Sequence, residues 1–506
     1  MIKDNKILIG KADDQEIYLL PKMANRHGLI AGATGTGKTV TLKVLAEGFS
    51  DLGVPVFIAD IKGDVSGLCV SGSDFVLNRA SEMALSNFKL KAYPVEFFDV
   101  YGKNGHPIRA TVKDMGPMML ANILELSDSQ TGILNIVFKI AEEKALDLID
   151  LEDLKTTLRY INDHTDELIL KYGNITKQSV ATLIRNILVL EQEGGSIFFG
   201  EPAFNINDLI RFDGVNGIIN ILDCQKLFQR PKLYTVFLIW LLDSLYNSLP
   251  EVGDLERPKM IFFFDEAHLI FSNSSKLLLE KFEQVIKLIR SKGVGIYFCT
   301  QNPRDINDNV LAQLSNRIQH ALRAYTPNEI KAVKLAAHSF RANTEFDTGE
   351  AIITLKTGQA LVSTLDEQGA PIIVQKTKIC PPSSSLDAID DTNRNNCIKI
   401  SFIYGKYEER LERMTAHEHL TKETEDLNNQ KILEQEQQKL QKEAEKLKKE
   451  QQKLLEKKEK AHIKQLERQR IRNERHLNRA ISGMTSVVSR EIGKTIIKGI
   501  KNLFSK

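Results

Sequence analysis

Two short stretches of this 506-residue chain carry residue types at spacings suited to phosphate chemistry. The first, residues 27–40, reads HGLIAGATGTGKTV, and its Gly32, Gly37, Lys38 and Thr39 fill the fixed places of the phosphate-binding loop G-x-x-x-x-G-K-[S/T]. Gly32, Gly35 and Gly37 have no side chains to block the backbone. The N–H groups from Gly32, Ala33, Thr34, Gly35, Thr36 and Gly37 through Lys38, Thr39 and Val40 can therefore turn inward, at the positive end of the following helix, and cradle an anion. Lys38 would reach the β and γ phosphates of a nucleotide, and the Thr39 hydroxyl would ligate Mg²⁺.

The second stretch is Phe262-Phe263-Phe264-Asp265-Glu266, an apolar strand ending in two adjacent carboxylates. Asp265 would take Mg²⁺ through its water shell, and Glu266 would polarise an attacking water. Gln301 follows the next strand-like run. Its amide could hydrogen-bond a γ-phosphate and the water together, or it is a polar loop residue. Arg304, Arg317 and Arg323 follow, and an arginine fork can neutralise a transferring phosphoryl group from an adjacent subunit. Asp60, Lys62 and Asp64 could support the Mg²⁺ site or a subunit contact, or form a polar turn of their own. His268 reads as a structural hydrogen-bonding residue.

These residues need a sheet to hold them. Strand patterns appear at 7–9, 17–20, 28–31, 54–60, 95–100, 217–222, 260–264 and 295–300, with further short ones at 318–324, 351–355 and 360–365. Helical spacing runs through 40–49 and 232–249, the latter as a buried helix whose apolar run 236–242 is too short to span a bilayer. Alternating strands and helices predict an α/β fold with a mostly parallel sheet. Between 111 and 210 the apolar period is helical throughout, which predicts a helical insertion with turns at Gly173, Gly194 and Gly195.

GATGTGKT, FIADIKGD, FFFDEAH and CTQNPRDI, followed by NRIQHALRAYTPNE, together resemble the HerA/FtsK superfamily of P-loop ATPases, and most closely its YjgR-like branch. The similarity covers about residues 5 to 380 and continues loosely into the tail. It implies a RecA-like core, assembly as a homo-oligomeric ring (usually a hexamer), ATP and Mg²⁺ as ligands, and ATP-driven movement of DNA. Carried over by position, Lys38 and Thr39 are the phosphate and Mg²⁺ residues and Asp265 and Glu266 the hydrolytic pair. Gln301 is the sensor, and Arg317, with Arg323 as second choice, the trans-acting arginine. A nuclease or another protein is the expected partner, and an ATPase that remodels a protein without acting on DNA is the alternative.

Composition agrees with a soluble chain: 42% hydrophobic, 26% charged, formal net charge +2. A charge so near neutrality excludes a uniformly basic surface, so any nucleic-acid contact must be local. Five scattered cysteines without a C-x-x-C pair suit neither a disulfide framework nor a zinc site. With no apolar signal at the start, a cytoplasmic location is expected.

The expected order is a lead and first part of the ATPase core (1–110), the insertion (111–210), the second part of the core (211–380) and a linker (381–405). A charged helix or weak coiled coil (406–480) and a basic amphipathic helix (481–506) follow. Leu433, Leu440, Leu447 and Leu454 repeat every seven residues, but the other seam positions hold Gln437, Ala444, Gln451 and Lys458. A coiled coil and a solvated single helix both fit that pattern. The apolar stripe from Ile481 through Ile496 and Ile500 to Leu503 fits a membrane surface or, better, a buried face.

Overall fold

The computed structural model describes residues 2–253, 255–272 and 276–501. Its centre is one sheet built from β1 (Ile2–Lys3), β2 (Lys6–Ala12), β3 (Gln15–Leu19), β4 (Gly28–Ala31), β5 (Val56–Asp60), β6 (Val95–Phe98), β7 (Ile219–Asp223), β8 (Met260–Phe264), β9 (Val294–Thr300), β10 (Asn316–Gln319), β11 (Gln359–Ser363) and β12 (Gln375–Ile379). The order is β1-β2-β12-β11-β10-β4-β9-β8-β5-β7-β6, with β3 on β2. From β10 to β6 every pairing is parallel. The strands beyond β10 pair antiparallel and extend the sheet at that side.

The three phenylalanines of β8 show how period-two alternation serves a sheet covered on both faces. Phe263 meets Phe49 of the helix Lys38–Asp51 and Tyr297 of β9 on one face. Phe262 and Phe264 point the other way, onto Phe57 and Phe298. That second face continues into the helix Pro231–Ser248 and the insertion. All three rings are fully buried, each worth roughly 1.5–3 kcal/mol of transfer free energy.

The insertion carries six helices between Val112 and Phe198, and four of them begin at side-chain caps: Thr111, Ser127, Asp150 and Thr176 each accept from a backbone N–H of the first turn. The structure departs from the sequence reading in four places. Of the expected strand 351–355, residues 351–354 belong to a helix, Thr348–Thr354, capped by Asp347, whose Thr348, Ala351 and Ile352 are buried at helical spacing. The short β-branched run there imitates a strand. The strand pattern at 318–324 ends at Gln319, and β1 and β12 are strands without an apolar pattern, one only two residues long and the other reading QKTKI.

The third departure is the expected linker. Residues 381–384 are buried, and Ser383 and Ser384 N–H groups donate to the Glu47 carboxylate at 2.6 and 2.9 Å. The Ser384 hydroxyl donates to it as well, at 2.5 Å. Lys43, one turn earlier, donates to the carbonyls of Ser385 and Leu386. Helix Asp391–Ile400 follows, with Arg394 over the Phe97 ring and paired to Asp223. Residues 381–405 thus form a strap over the core.

Fourth, the long helix begins at Ala416 and not at 406. The ten residues before it are bound to the insertion: Arg413 pairs with Glu201 and Asp147, and Tyr407 accepts from Asn205 N–H. The chain divides into two compact units, 1–421 and 422–506. In the second, the helix runs on to Lys501 without a break between the two expected segments, and Leu433, Leu440, Leu447 and Leu454 are exposed. Leu503 and the side chains of Ile496 and Ile500 lie outside the described residues. Among those described, no helix is long and apolar enough to cross a membrane.

Glu47→Ala would leave three buried donors without an acceptor. The expected loss is about 3 kcal/mol by urea unfolding, with protease cleavage newly appearing in 381–390. His27, just before β4, donates from Nε2 to Ile286 O and accepts from Ile296 N–H at Nδ1, so the ring is neutral. Burial pushes it from 6.5 down to about 4. The unfolded chain therefore binds the proton first, and stability falls as pH drops from about 6.5 toward 4, by up to about 3 kcal/mol. His27→Asn should flatten that part of the pH–stability profile.

Candidate nucleotide site

Four adjacent parallel strands, β4, β9, β8 and β5, end side by side, and the residue or loop after each supplies one part of the site. After β4, Gly32 N–H bonds Thr300 O and Ala33 N–H bonds Ala321 O, fixing the loop's root between β9 and β10. Gly35 and Gly37 take φ of 79° and 113°, in the region glycine reaches without strain. A Cβ on Gly35 would meet nothing within 4 Å, so the loop's hollow side is open there. The helix Lys38–Asp51 starts directly from this loop.

Lys38 is buried, and its ammonium donates to Gly32 O at 2.7 Å and Ala33 O at 3.2 Å. Burial lowers its pKa, against the nearby charge of Glu266. The Thr39 hydroxyl donates to Asp64 at 3.1 Å. Asp60, at the end of β5, accepts from Gly63 and Val65 N–H and so shapes the turn that presents Lys62 and Asp64. Burial and the neighbouring Asp64 push Asp60 up to about 7.

Asp265 and Glu266 follow β8 and are both buried. Burial and the charge of Glu266 push Asp265 up to about 6. Glu266 takes φ of 47°, unusual outside glycine and a mark of strain held in place by its surroundings. Its carboxylate pairs with Lys62, lies 3.2 Å from His268 Nδ1, and accepts from Gln301 Nε2 at 3.3 Å. Burial pulls its pKa upward, but the hydrogen bond and charge of Lys62 outweigh that and hold it below the ordinary value.

Whether these residues suit a hard dication can be judged from their free oxygens. One oxygen each of Asp64 and Asp265 is buried without a hydrogen-bond partner. Together with the Thr39 hydroxyl they form the all-oxygen donor set such an ion takes. The residues fit Mg²⁺.

The structure thus brings together Gly32 to Thr39, Asp64, Asp265, Glu266 and Gln301. It does not bring the two arginines there. Arg317 on β10 donates to the carbonyls of Leu311, Leu314 and Ser339, and Arg323 is exposed. His320, not singled out from the sequence, lies beneath the loop. It bonds the Thr41 hydroxyl at 2.8 Å and Gln359 O at 3.0 Å, and a Cβ on Gly32 would come within 2.5 Å of its own Cβ. Its place just after β10, beside the loop strand β4, was the only signal.

The family described as "Helicase HerA-like C-terminal" matches residues 5–504. The "DNA double-strand break repair helicase HerA" of Sulfurisphaera tokodaii is 23% identical over 372 residues, covering 70% of this chain and 67% of that protein. Its namesake from Sulfolobus acidocaldarius is 22% identical over 364 residues, 70% and 65% of the two chains. The chain thus spans about two thirds of the length of these curated relatives. Among solved structures, the plasmid coupling protein TrwB in complex with a non-hydrolysable ATP analogue superposes with a TM-score of 0.52 at 14% identity, covering 77% of this chain and 92% of that one. That likeness establishes the fold of the core. With the family match running nearly end to end and the loop, acids and glutamine gathered at adjacent strand ends, the chain belongs to the HerA-like helicase C-terminal family, within the HerA/FtsK P-loop ATPases.

Proposed function

We propose that this protein hydrolyses ATP with Mg²⁺ and works as a ring-forming motor that translocates on or processes DNA. The observation that carries the reading is the meeting of Lys38, Thr39, Asp265, Glu266 and Gln301 at the ends of neighbouring strands. The helicase names of the HerA relatives and the coupling-protein name of TrwB support DNA as the substrate.

Lys38 exchanges its two loop carbonyls for phosphate oxygens, and the loop N–H groups complete the cradle. Thr39 and Asp265, with Asp64 beside Thr39, would hold Mg²⁺, which supplies charge neutralisation at the terminal phosphates. Glu266 orients and deprotonates the attacking water. Its ion pair with Lys62 and its bond from Gln301 keep it ionised and aimed. Gln301 reports the state of the γ-phosphate position to the base. Across a subunit boundary, the exposed Arg323 serves as the acting arginine better than Arg317, whose guanidinium is committed to three carbonyls. The proposal includes a ring (a hexamer is favoured), a cytoplasmic location and a nuclease or other protein partner.

Steady-state ATP turnover with and without double-stranded DNA at low salt tests this. Lys38→Ala and Glu266→Gln should each lose about 100-fold or more, and DNA should stimulate the parent several-fold, less so as salt rises. Turnover indifferent to DNA would remove the DNA motor and leave a protein-remodelling ATPase. Arg323→Ala should lose turnover while retaining nucleotide binding, and Arg317→Ala should lose stability first. Lys62→Ala removes the charge that holds Glu266 low, so the acid limb of the pH–rate profile should move to higher pH. An unmoved limb would mean that Glu266 is not the base.

A further inference from the structure

A second cavity, built from residues outside the nucleotide site, lies beyond the end of the edge strand β6. Its volume is about 320 Å³, and its walls include Tyr101, Lys103, Arg109, Lys399, Tyr404 and Glu408. One side is the loop after β6, which Asp99 folds back on itself by accepting from the N–H groups of Tyr101, Lys103 and Asn104. The other side comes from the strap and the segment leading to the long helix.

The charges facing this cavity do not cancel. Arg109 is only 7% exposed, yet among the described residues its side chain makes a single hydrogen bond, Nη1 to Tyr407 O at 2.7 Å. No carboxylate among the described residues pairs with Arg109, Lys103 or Lys399. Glu408, the one acid in the lining, is already engaged. One of its oxygens is 2.6 Å from His106 Nδ1, and the other accepts from the Gly405 and Tyr407 N–H groups. The remaining guanidinium donors of Arg109 have no protein partner among the described residues and are not sealed from solvent, so they open onto the cavity and are available to a ligand.

The geometry points to a binding site for a small phosphate ester of about mononucleotide or sugar-phosphate size, held by Arg109 from within and by Lys103 and Lys399 from the rim. Three cations against an already engaged acid suit a ligand carrying two negative charges. The planar guanidinium fork matches phosphate oxygens, and the exposed lysines add point charge. The volume falls at the lower end of small-ligand pockets, about 300–1,000 Å³, and Tyr101 and Tyr404 offer flat walls to the body that carries the phosphate. Arg109 sits too deep for the backbone of a duplex lying on the surface. The site is independent of the ATPase reading, since no residue of the phosphate loop lines it.

Isothermal titration of the full-length Lys38→Ala protein with ribose 5-phosphate, and separately with inorganic phosphate, tests the site without competition from the phosphate loop. Saturable binding of ribose 5-phosphate to one site per chain is expected, with the parent protein in ADP and Mg²⁺ giving the same affinity. Lys103→Ala with Lys399→Ala, both exposed positions that should leave the fold intact, should weaken it at least tenfold. Arg109→Lys, which keeps charge but loses the fork, should weaken it too if it folds. Binding unchanged in the double lysine variant, binding seen only when Lys38 is present, or no binding of either probe would overturn the site. Binding of phosphate and ribose 5-phosphate with equal affinity would overturn the size assignment. A single-stranded oligonucleotide that binds through Lys103 and Lys399 where ribose 5-phosphate does not would likewise overturn it, in favour of a nucleic-acid groove.

Discussion

Everything at the nucleotide site depends on burying carboxylates at the end of an apolar strand and meeting their charge from neighbouring strands. β8 is buried along its whole length, so Asp265 and Glu266 leave it already out of water. Lys62 comes from the loop after β5, Lys38 from the loop after β4, and Gln301 from the end of β9. No one of these segments could make the site by itself. The parallel order β4-β9-β8-β5 is what aligns the four ends, with Ala31 opposite Thr300, Phe264 opposite Phe298, and Ala59 opposite Phe264. The compensation is incomplete, as the raised pKa values of Asp60 and Asp265 register. A partly uncompensated acidic cluster is the environment in which a dication is retained.

The phosphate loop is held from behind as well as from its root. His320 and Thr41 bond beneath it, and the helix that follows is gripped by the strap through Glu47 and Lys43. Both grips fall on one side of the helix, one turn apart. The strap also passes close to Gly67 and Gly72, where an added Cβ would come 2.1 Å from Asp387 O and 3.0 Å from Ser383 O. A shift of the loop helix would therefore have to carry the strap with it, because buried hydrogen bonds to a carboxylate do not stretch cheaply. These bonds tie the helix that follows the loop to residues 383–386, in addition to the loop's own bonds to Ala321 and Gly358.

What could be read in the sequence and what could not follow the range of the interactions. The loop, FFFDE and the buried helix around Trp240 are local patterns in which neighbouring residues determine the outcome. Residues 381–405 look like a linker because CPPSSS is locally turn-like. Their partners, Glu47 and Lys43, stand 336 to 343 residues away. The run 351–355 resembles a strand locally because it is short and apolar, and the Asp347 cap and the residues it packs on make it a helix instead. Arg317 stands at the motif position of a trans-acting arginine, yet its guanidinium bonds Leu311, Leu314 and Ser339 carbonyls. A sequence cannot show that its donors are already taken.

The same reasoning bears on the insertion, which composition sets apart from the core. It is not an independent appendage. The Asp153 carboxylate accepts Ile149 and Asp150 N–H at the start of its own helix and also His417 N–H in the first turn of the long helix. Asp208 receives Lys406, and Arg413 pairs with Glu201 and Asp147. These contacts hold the start of the long helix by caps and ion pairs that the insertion supplies. Further along, the exposed leucines repeat at seven but alternate with Gln437, Gln451 and Lys458, a seam too polar to drive tight pairing by itself. Anchorage at one end and a weak seam beyond it give a helix whose pairing with another copy would depend on local concentration.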